Sequence, residues 1–223
     1  SGFHTCVRRA TGAVVCFGIN TYGRLGLNDI TDPNPPYALA HAVIESPLDP
    51  ESVPVNTLTD VVRLDAGLQH TCALRTNHTL ACWGRNAEGG LGNGLIGNGT
   101  VDPTTMSGDR GPTASPTTVL TLTDVASVAV GFQHTCALTS DRVPYCWGAN
   151  PFGQLGDGSL DLRPSPTAVD ATGVLAGKRF RTFSAGANHM LFLAQQAPTT
   201  PREATAQVTG FDATVSWQPP VDD

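Results

Sequence analysis

The chain has 223 residues, 14% of them charged, with a net charge of −6, 24 glycines and 17 prolines. That length is ample for a sizeable core. With no basic run the sequence lacks the electrostatic footprint of nucleic-acid binding, and no run of 18 apolar residues is present to span a membrane.

From its first residues the sequence is organised by one phrase. HTCVRRATGAVVCFGINTYGRLG runs from His4 to Gly26, HTCALRTNHTLACWGRNAEGGLG from His70 to Gly92, and HTCALTSDRVPYCWGANPFGQLG from His134 to Gly156. A degenerate fourth start, GANHMLFLA, begins at Gly186. The repeated His4, His70, His134 and His189 are 66, 64 and 55 residues apart, which is one supersecondary unit plus loops of unequal length.

Ahead of each later histidine lies a second shared stretch: LTDVVRLDAGLQ from Leu58, LTDVASVAVGFQ from Leu122 and KRFRTFSAGAN from Lys178. Branched or aromatic residues alternating up to a Gly predict a strand ending in a turn. A shorter apolar piece with proline precedes these, at Val53, Pro116 and Pro166. Each repeat therefore reads as four short strands, in the order proline-edged, DV, HTCAL and ACWG. Four-stranded units in tandem predict an all-β fold, a partial β-propeller of about three four-stranded blades.

The combination of H-T-C-A-L, C-W-G-x-N and G-Q-L-G resembles the regulator of chromosome condensation repeat. The resemblance covers about residues 2–195 and implies a seven-bladed ring. The long stretches 28–57 and 93–118 and the paired cysteines depart from it. It implies nucleotide exchange or chromatin binding only at the level of the fold, because no motif allows those functional residues to be transferred. The expected boundaries are a propeller over 1–195, with a partial blade at 1–27, main blade segments at 53–92 and 116–158, and a terminal partial blade at 164–195. The strands then amount to the last two of one blade, two full blades and the first three of another. Three blades leave open edges. The remainder is expected from upstream sequence, a separate fragment or another copy, which makes self-association through the incomplete edges a candidate interaction.

Six cysteines fall in the pairs Cys6/Cys16, Cys72/Cys82 and Cys136/Cys146. Each pair brackets a strand, a turn and a strand. A three-residue loop, Ala10-Thr11-Gly12 in the first copy, sets the two cysteines opposite each other, and Gly12 supplies a left-handed residue. Opposed Cα atoms on antiparallel strands lie about 4.5–5.5 Å apart, within reach of a disulfide. Three local disulfides are expected, against the alternatives of free buried thiols or a metal site, whose ligands would be more closely spaced. Disulfides imply an extracellular, cell-surface or periplasmic location. The sequence opens inside a repeat, so a leader is expected to have been removed or to lie upstream.

The remaining repeated positions read as scaffold. The equivalent histidines cannot converge on one substrate unless they line the ring axis. Asn20, Asn86 and Asn150 sit in G-x-N-x-x-G turns, where Asn bonds local backbone and tolerates left-handed geometry. Phe17, Trp83 and Trp147 share one position and read as core rather than as a sugar-stacking stripe. Recognition is instead expected in the unequal loops, which follow the LG turn and should share one face of the disc. Their candidate residues are Tyr37, Asp102 and Asp109, with an apolar AHAVI segment after Tyr37 as one helical turn. A calcium site on Asp102 and Asp109 is the only cofactor reading, and its spacing fits no EF-hand loop. Asn77-His78-Thr79 and Asn98-Gly99-Thr100 match the glycosylation sequon.

After a polar linker at 196–201, residues 202–223 alternate as two strands. The V-S-W-x-P-P run resembles the start of a fibronectin type III domain, the N-terminal strands of a β-sandwich, and implies a core role for Trp217. The functional expectation is a non-catalytic surface scaffold, a module of an adhesin or surface assembly, with a protein or surface polysaccharide as partner and no nucleic acid. The alternative is a propeller-based glycosidase or lyase, which would need converging carboxylates, and none recurs at a strand position.

Overall fold

The computed structural model describes residues 4–18, 21–26, 58–97 and 117–196, together with the backbone of 202–209 and 212–218. Strand β1 (His4–Arg8) pairs antiparallel with β2 (Val14–Gly18). The next unit is a four-stranded sheet of β3 (Val61–Ala66), β4 (His70–Arg75), β5 (Leu80–Gly84) and β6 (Thr117–Thr118), in that order. A second four-stranded sheet repeats it with β7 (Val125–Val130), β8 (His134–Thr139), β9 (Pro144–Gly148) and β10 (Arg163–Ala168). Strands β11 (Lys178–Ala185) and β12 (Met190–Gln196) form a further pair. A separate hairpin joins β13 (Arg202–Thr209) to β14 (Asp212–Gln218). The fold is all-β, with two complete blades and two two-stranded units in a repeating array.

The hairpins explain the register. Arg9 N–H donates to Ala13 O at 2.8 Å and Gly12 N–H donates to Arg9 O at 3.0 Å, so three residues span the turn. Gly12 takes φ +86, the left-handed conformation such a loop requires. The same position is filled by His78 (φ 61) and Arg142 (φ 71) in the next two copies. Counting back from the closed turn places Cys6 opposite Cys16, Cys72 opposite Cys82 and Cys136 opposite Cys146.

The innermost strands are β3, β7 and β11, each packed beside the next. All three carry a bulge at the same place, between Val61 and Arg63, Val125 and Ser127, and Phe180 and Thr182. Both faces of an interior blade are covered, which is why LACWG on β5 reads as continuously apolar. Side chains alternate across the sheet. Leu80 and Cys82 therefore enter one core with Leu91, Leu122, Val125 and Trp147. Ala81 and Trp83 enter the preceding core with Val14, Cys16, Leu25 and Val61. Each Trp thus packs against the cysteine-bearing side of the blade before it.

Two boundaries differ from the sequence expectation. The proline-edged piece does not open a blade but closes the previous one. Thr117 and Thr118 pair with β5, and Val119 N–H donates to Leu80 O at 3.0 Å. Pro164 and Pro166 likewise lie on β10, which pairs with β9. Proline lacks a ladder donor, so it is tolerated on an outer edge strand. Residues 163–168 accordingly complete the blade of β7–β9, and the terminal unit has two strands over 178–196, not three from residue 164. The third such piece, at Val53, and the AHAVI segment lie outside the described residues. Among the described residues no helix is long and apolar enough to cross a membrane.

Candidate functional site

The repeated polar residues meet at the boundary between blades. His70 Nε2 lies 2.7 Å from Thr135 Oγ1, and the Thr135 hydroxyl donates to Gly90 O at 2.9 Å. The single hydroxyl proton is used there, so the His70 Nε2–H is the donor to Thr135. Trp147 Nε1–H donates to the same Gly90 carbonyl at 2.9 Å. One blade earlier, His4 Nε2 lies 2.7 Å from Thr71 Oγ1, and Trp83 Nε1–H donates to Arg24 O at 3.0 Å. The HT pair is thus a latch. The histidine of one blade holds the threonine of the next, and the tryptophan of the next blade clasps the LG turn behind it.

His4, His70 and His134 are buried, whereas His189 is exposed. Burial lowers the imidazole of His4 to about 4, that of His70 to about 3 and that of His134 to about 4. The nearby positive charge of Arg24 reinforces the shift at His4. At His134 no threonine hydroxyl reaches the ring, and a backbone hydrogen bond with His189 partly offsets the effect of burial. The residue after the next histidine is Met190, which has no hydroxyl to offer. Asp65 adds a bridge between inner strands, because Val130 N–H donates to its Oδ2 at 2.6 Å; burial raises this carboxyl.

Asn86 and Asn150 act through their side chains. Asn86 Oδ1 accepts from Leu91 N–H at 3.0 Å, and its Nδ2 donates to Asn93 Oδ1 and Leu95 O, both at 3.1 Å. Asn150 repeats this with Leu155 N–H at 2.9 Å, Asp157 Oδ1 at 3.2 Å and Ser159 O at 3.0 Å. Neither Asn is left-handed. That conformation belongs to glycines of the same turns, such as Gly92 (φ +69), where an added Cβ would lie 2.6 Å from Trp147 Nε1. Burial alone would raise the Asp157 carboxyl, but donors from Arg163 and Ser159 hold it down at about 2.

The three cysteine pairs are bonded, each with Cα atoms 4.1 Å apart. Trp83 and Trp147 are fully buried, and Phe17 at the same repeat position is half-buried. The loops after β5 and β9 leave from one end of the blades. There Leu95, Ile96, Phe152 and Leu160 are exposed, between 53% and 72%. Ile96 and Leu160 occupy the same repeat position. These apolar side chains carry no sequence signal, because only the Asn clamps show that the turns face outward. The inner strands border a concave space of about 720 Å³, lined among others by Asp65, Val130, Phe132 and Asn188. Asn20, Tyr37, Asn98, Asp102 and Asp109 lie outside the described residues. Asn77 sits on the exposed β4–β5 turn, with the Thr79 hydroxyl donating to its Oδ1 at 2.7 Å. No group of His, Cys, Asp or Glu suited to a metal occurs among the described residues.

An array of antiparallel blades locked by His–Thr latches and Asn-clamped turns defines a repeat β-propeller. Residues 1–24, 61–89, 125–154 and 145–193 match the regulator of chromosome condensation (RCC1) repeat. These matches span more than half of the chain, which belongs to the RCC1-repeat family. It is 25% identical over 247 residues to the mouse (Mus musculus) E3 ubiquitin-protein ligase HERC2, covering 93% of this chain and 5% of that protein. It is 28% identical over 171 residues to the Ultraviolet-B receptor UVR8 of Arabidopsis thaliana, covering 77% of this chain and 33% of the receptor. Among solved structures, Prp20p of Saccharomyces cerevisiae superposes with a TM-score of 0.67 at 21% identity, over 88% of this chain and 43% of that one. Human WBSCR16 gives 0.63 at 20% identity, over 87% and 43%. The chain therefore spans less than half the length of these proteins, and the structural likenesses establish the fold.

Proposed function

We propose that this chain is a non-catalytic binding module of the extracellular space or cell surface, and that it recognises a protein partner through the loop end of its blades. The observation that carries the reading is the apolar set Leu95, Ile96, Phe152 and Leu160, exposed on consecutive blades at one end. Exposed apolar clusters rimmed by polar residues mark interaction sites. The Asn86 and Asn150 clamps hold those loops in fixed shapes, which lowers the ordering cost of binding. The solved relative Prp20p is described as binding Gsp1p and histones, so a propeller of this kind serves as a protein-binding platform there. The three disulfides support an oxidising compartment. The β13–β14 hairpin supports reading residues 202–223 as the start of a fibronectin type III-like module within a longer surface protein.

The test is quantitative capture from the extracellular fraction of the source cells, comparing the parent with Ile96→Asp/Phe152→Asp/Leu160→Asp. A partner retained by the parent and by the hairpin-end variant Arg142→Asp, but lost by the triple variant, supports the loop end. Equal capture by all three sinks the assignment. A glycan array run in parallel assigns the same surface to a polysaccharide if only carbohydrate binding is lost in the triple variant.

A further inference from the structure

Cations scattered along the sequence gather in space at the hairpin end of the blades. The hairpin halves of the inner strands, with the β4–β5 and β8–β9 turns, carry Arg63, Arg75, Arg142, Lys178, Arg179 and Arg181. Against these six stand three carboxylates, Asp60, Asp124 and Asp141, on a chain whose net charge is −6. At the loop end, by contrast, Arg85 is held by Glu88 at 2.9 Å and Arg163 by Asp157 at 2.7 Å. We propose that the hairpin-end rim binds an acidic polysaccharide, whose carboxylate or sulfate groups meet the arginines while its hydroxyls meet the interleaved aspartates. The choice of a polysaccharide rests on the extracellular reading above.

The rim is continuous across two blade boundaries. A groove of about 420 Å³ lies between the second and third blades, lined by Val62, Arg63, Arg75, Ala126 and Ser140 among others. Asp60 fixes Arg75, because the Arg75 Nε–H donates to both of its carboxylate oxygens, at 3.0 and 3.1 Å. Arg142, two residues beyond Ser140, donates from its guanidinium across the next boundary to Arg181 O at 3.2 Å. Arg63, Arg142, Arg179 and Arg181 are exposed. Arg181 is the bulge residue of β11, and a bulge re-aims its side chain. Val62 is the bulge residue of β3, a strand packed on both sides by β1 and β7, and it is still 41% exposed. The outward aim of Arg181 therefore belongs to the bulge.

The aspartates select the class of polyanion. Asp124 Oδ1 accepts from the Ser140 hydroxyl at 3.0 Å, and Asp141 Oδ1 accepts from the Thr139 hydroxyl. A carboxylate offers about four acceptor sites, so both retain capacity for further donors. A uniformly anionic chain brings them no donor and is repelled. Duplex DNA, with one charge per about 1.7 Å of its axis, is such a chain. A sugar polymer instead places hydroxyl donors between its charges. Its anionic groups suit the arginine fork, which pairs bidentately with oxyanions. Its C–H faces suit Val62 and Ala126 in the groove.

Fluorescence anisotropy of labelled polymers with the full 223-residue chain tests this. Polygalacturonate supplies carboxylates, dextran sulfate supplies sulfates, and plain dextran, polyglutamate and duplex DNA are the comparisons. The chain should bind one or both of the first two, and which one identifies the anionic group. Binding should weaken as salt is raised, because exposed charges are screened. Arg63→Gln/Arg142→Gln/Arg181→Gln, checked by mass for three intact disulfides, should lose roughly tenfold or more in affinity, the sum of three exposed charge contacts. Arg63→Lys/Arg142→Lys/Arg181→Lys should keep most of it. Asn188→Glu, in the turn at the opposite end of β11, should leave it unchanged. Asp124→Asn/Asp141→Asn should raise affinity for DNA and polyglutamate. No binding to either acidic polysaccharide overturns the inference. Equal binding of plain dextran, polyglutamate or DNA by the parent also overturns it, as does an arginine-to-glutamine variant that binds like the parent. Those results would leave the loop-end reading standing, since its capture experiment turns on Ile96, Phe152 and Leu160.

Discussion

Thr135 holds two hydrogen bonds at once, accepting from His70 and donating to Gly90 O. Replacing it with valine keeps the shape and strands both partners in a buried site. Thr135→Val should therefore destabilise by about 1–3 kcal/mol, the range for leaving a buried polar group unpaired. The same change at exposed Thr5 should stay within about 0.5 kcal/mol, as surface changes do. Urea titrations of the two variants check the contrast. The histidines also set a pH dependence. His4, His70 and His134 are neutral in the fold and sit well below their ordinary value of 6.5. Below about pH 6.5 the unfolded chain takes up protons that the folded chain refuses. Stability is then fully present above that pH and falls as pH drops towards 4, with a slope of up to about 1.4 kcal/mol per unit for each histidine. The raised carboxyl of Asp65 acts in the opposite sense, since the fold there binds its proton earlier. Denaturation midpoints measured at pH 7, 6, 5 and 4.5 should decline steadily. A flat profile would show that the rings are solvated.

Within each blade the hairpin does most of the organising. A turn closed at Arg9–Ala13 sets the register, and the register sets the cysteine pairing. Opening Cys72–Cys82 by the double change to serine should cost about 3 kcal/mol on loop entropy for so short a loop, and a thermal melt of this variant against the parent measures it. Asn86→Ala removes the acceptor for buried Leu91 N–H and should cost about 1–3 kcal/mol while loosening the loop that carries Leu95 and Ile96. Amide exchange at Leu91 reports the local effect separately from global unfolding. At this scale the sequence was informative where a residue type has one physical use: glycine at a left-handed turn, alternation along a strand, and cysteines ten residues apart. It was misleading for the proline-edged strand. Chain order puts that piece next to the following DV strand, but its hydrogen bonds run back to the preceding CWG strand. Nothing in a local pattern distinguishes the two neighbours. The Asn clamp was legible as a turn residue but not as a clamp, because its partners lie up to nine positions downstream.

At the level of the whole array, stability is close to a sum of blade terms and nearest-neighbour interface terms. The sequence showed that the blades repeat. It did not show which side of β12 each side chain takes. Leu191 and Leu193 appear as ordinary strand residues until Met190 and Phe192 are seen to occupy the packed side. The exposed loop positions were hidden for a similar reason, because Ile96 and Leu160 are 64 residues apart and are equivalent only through the shared turn geometry.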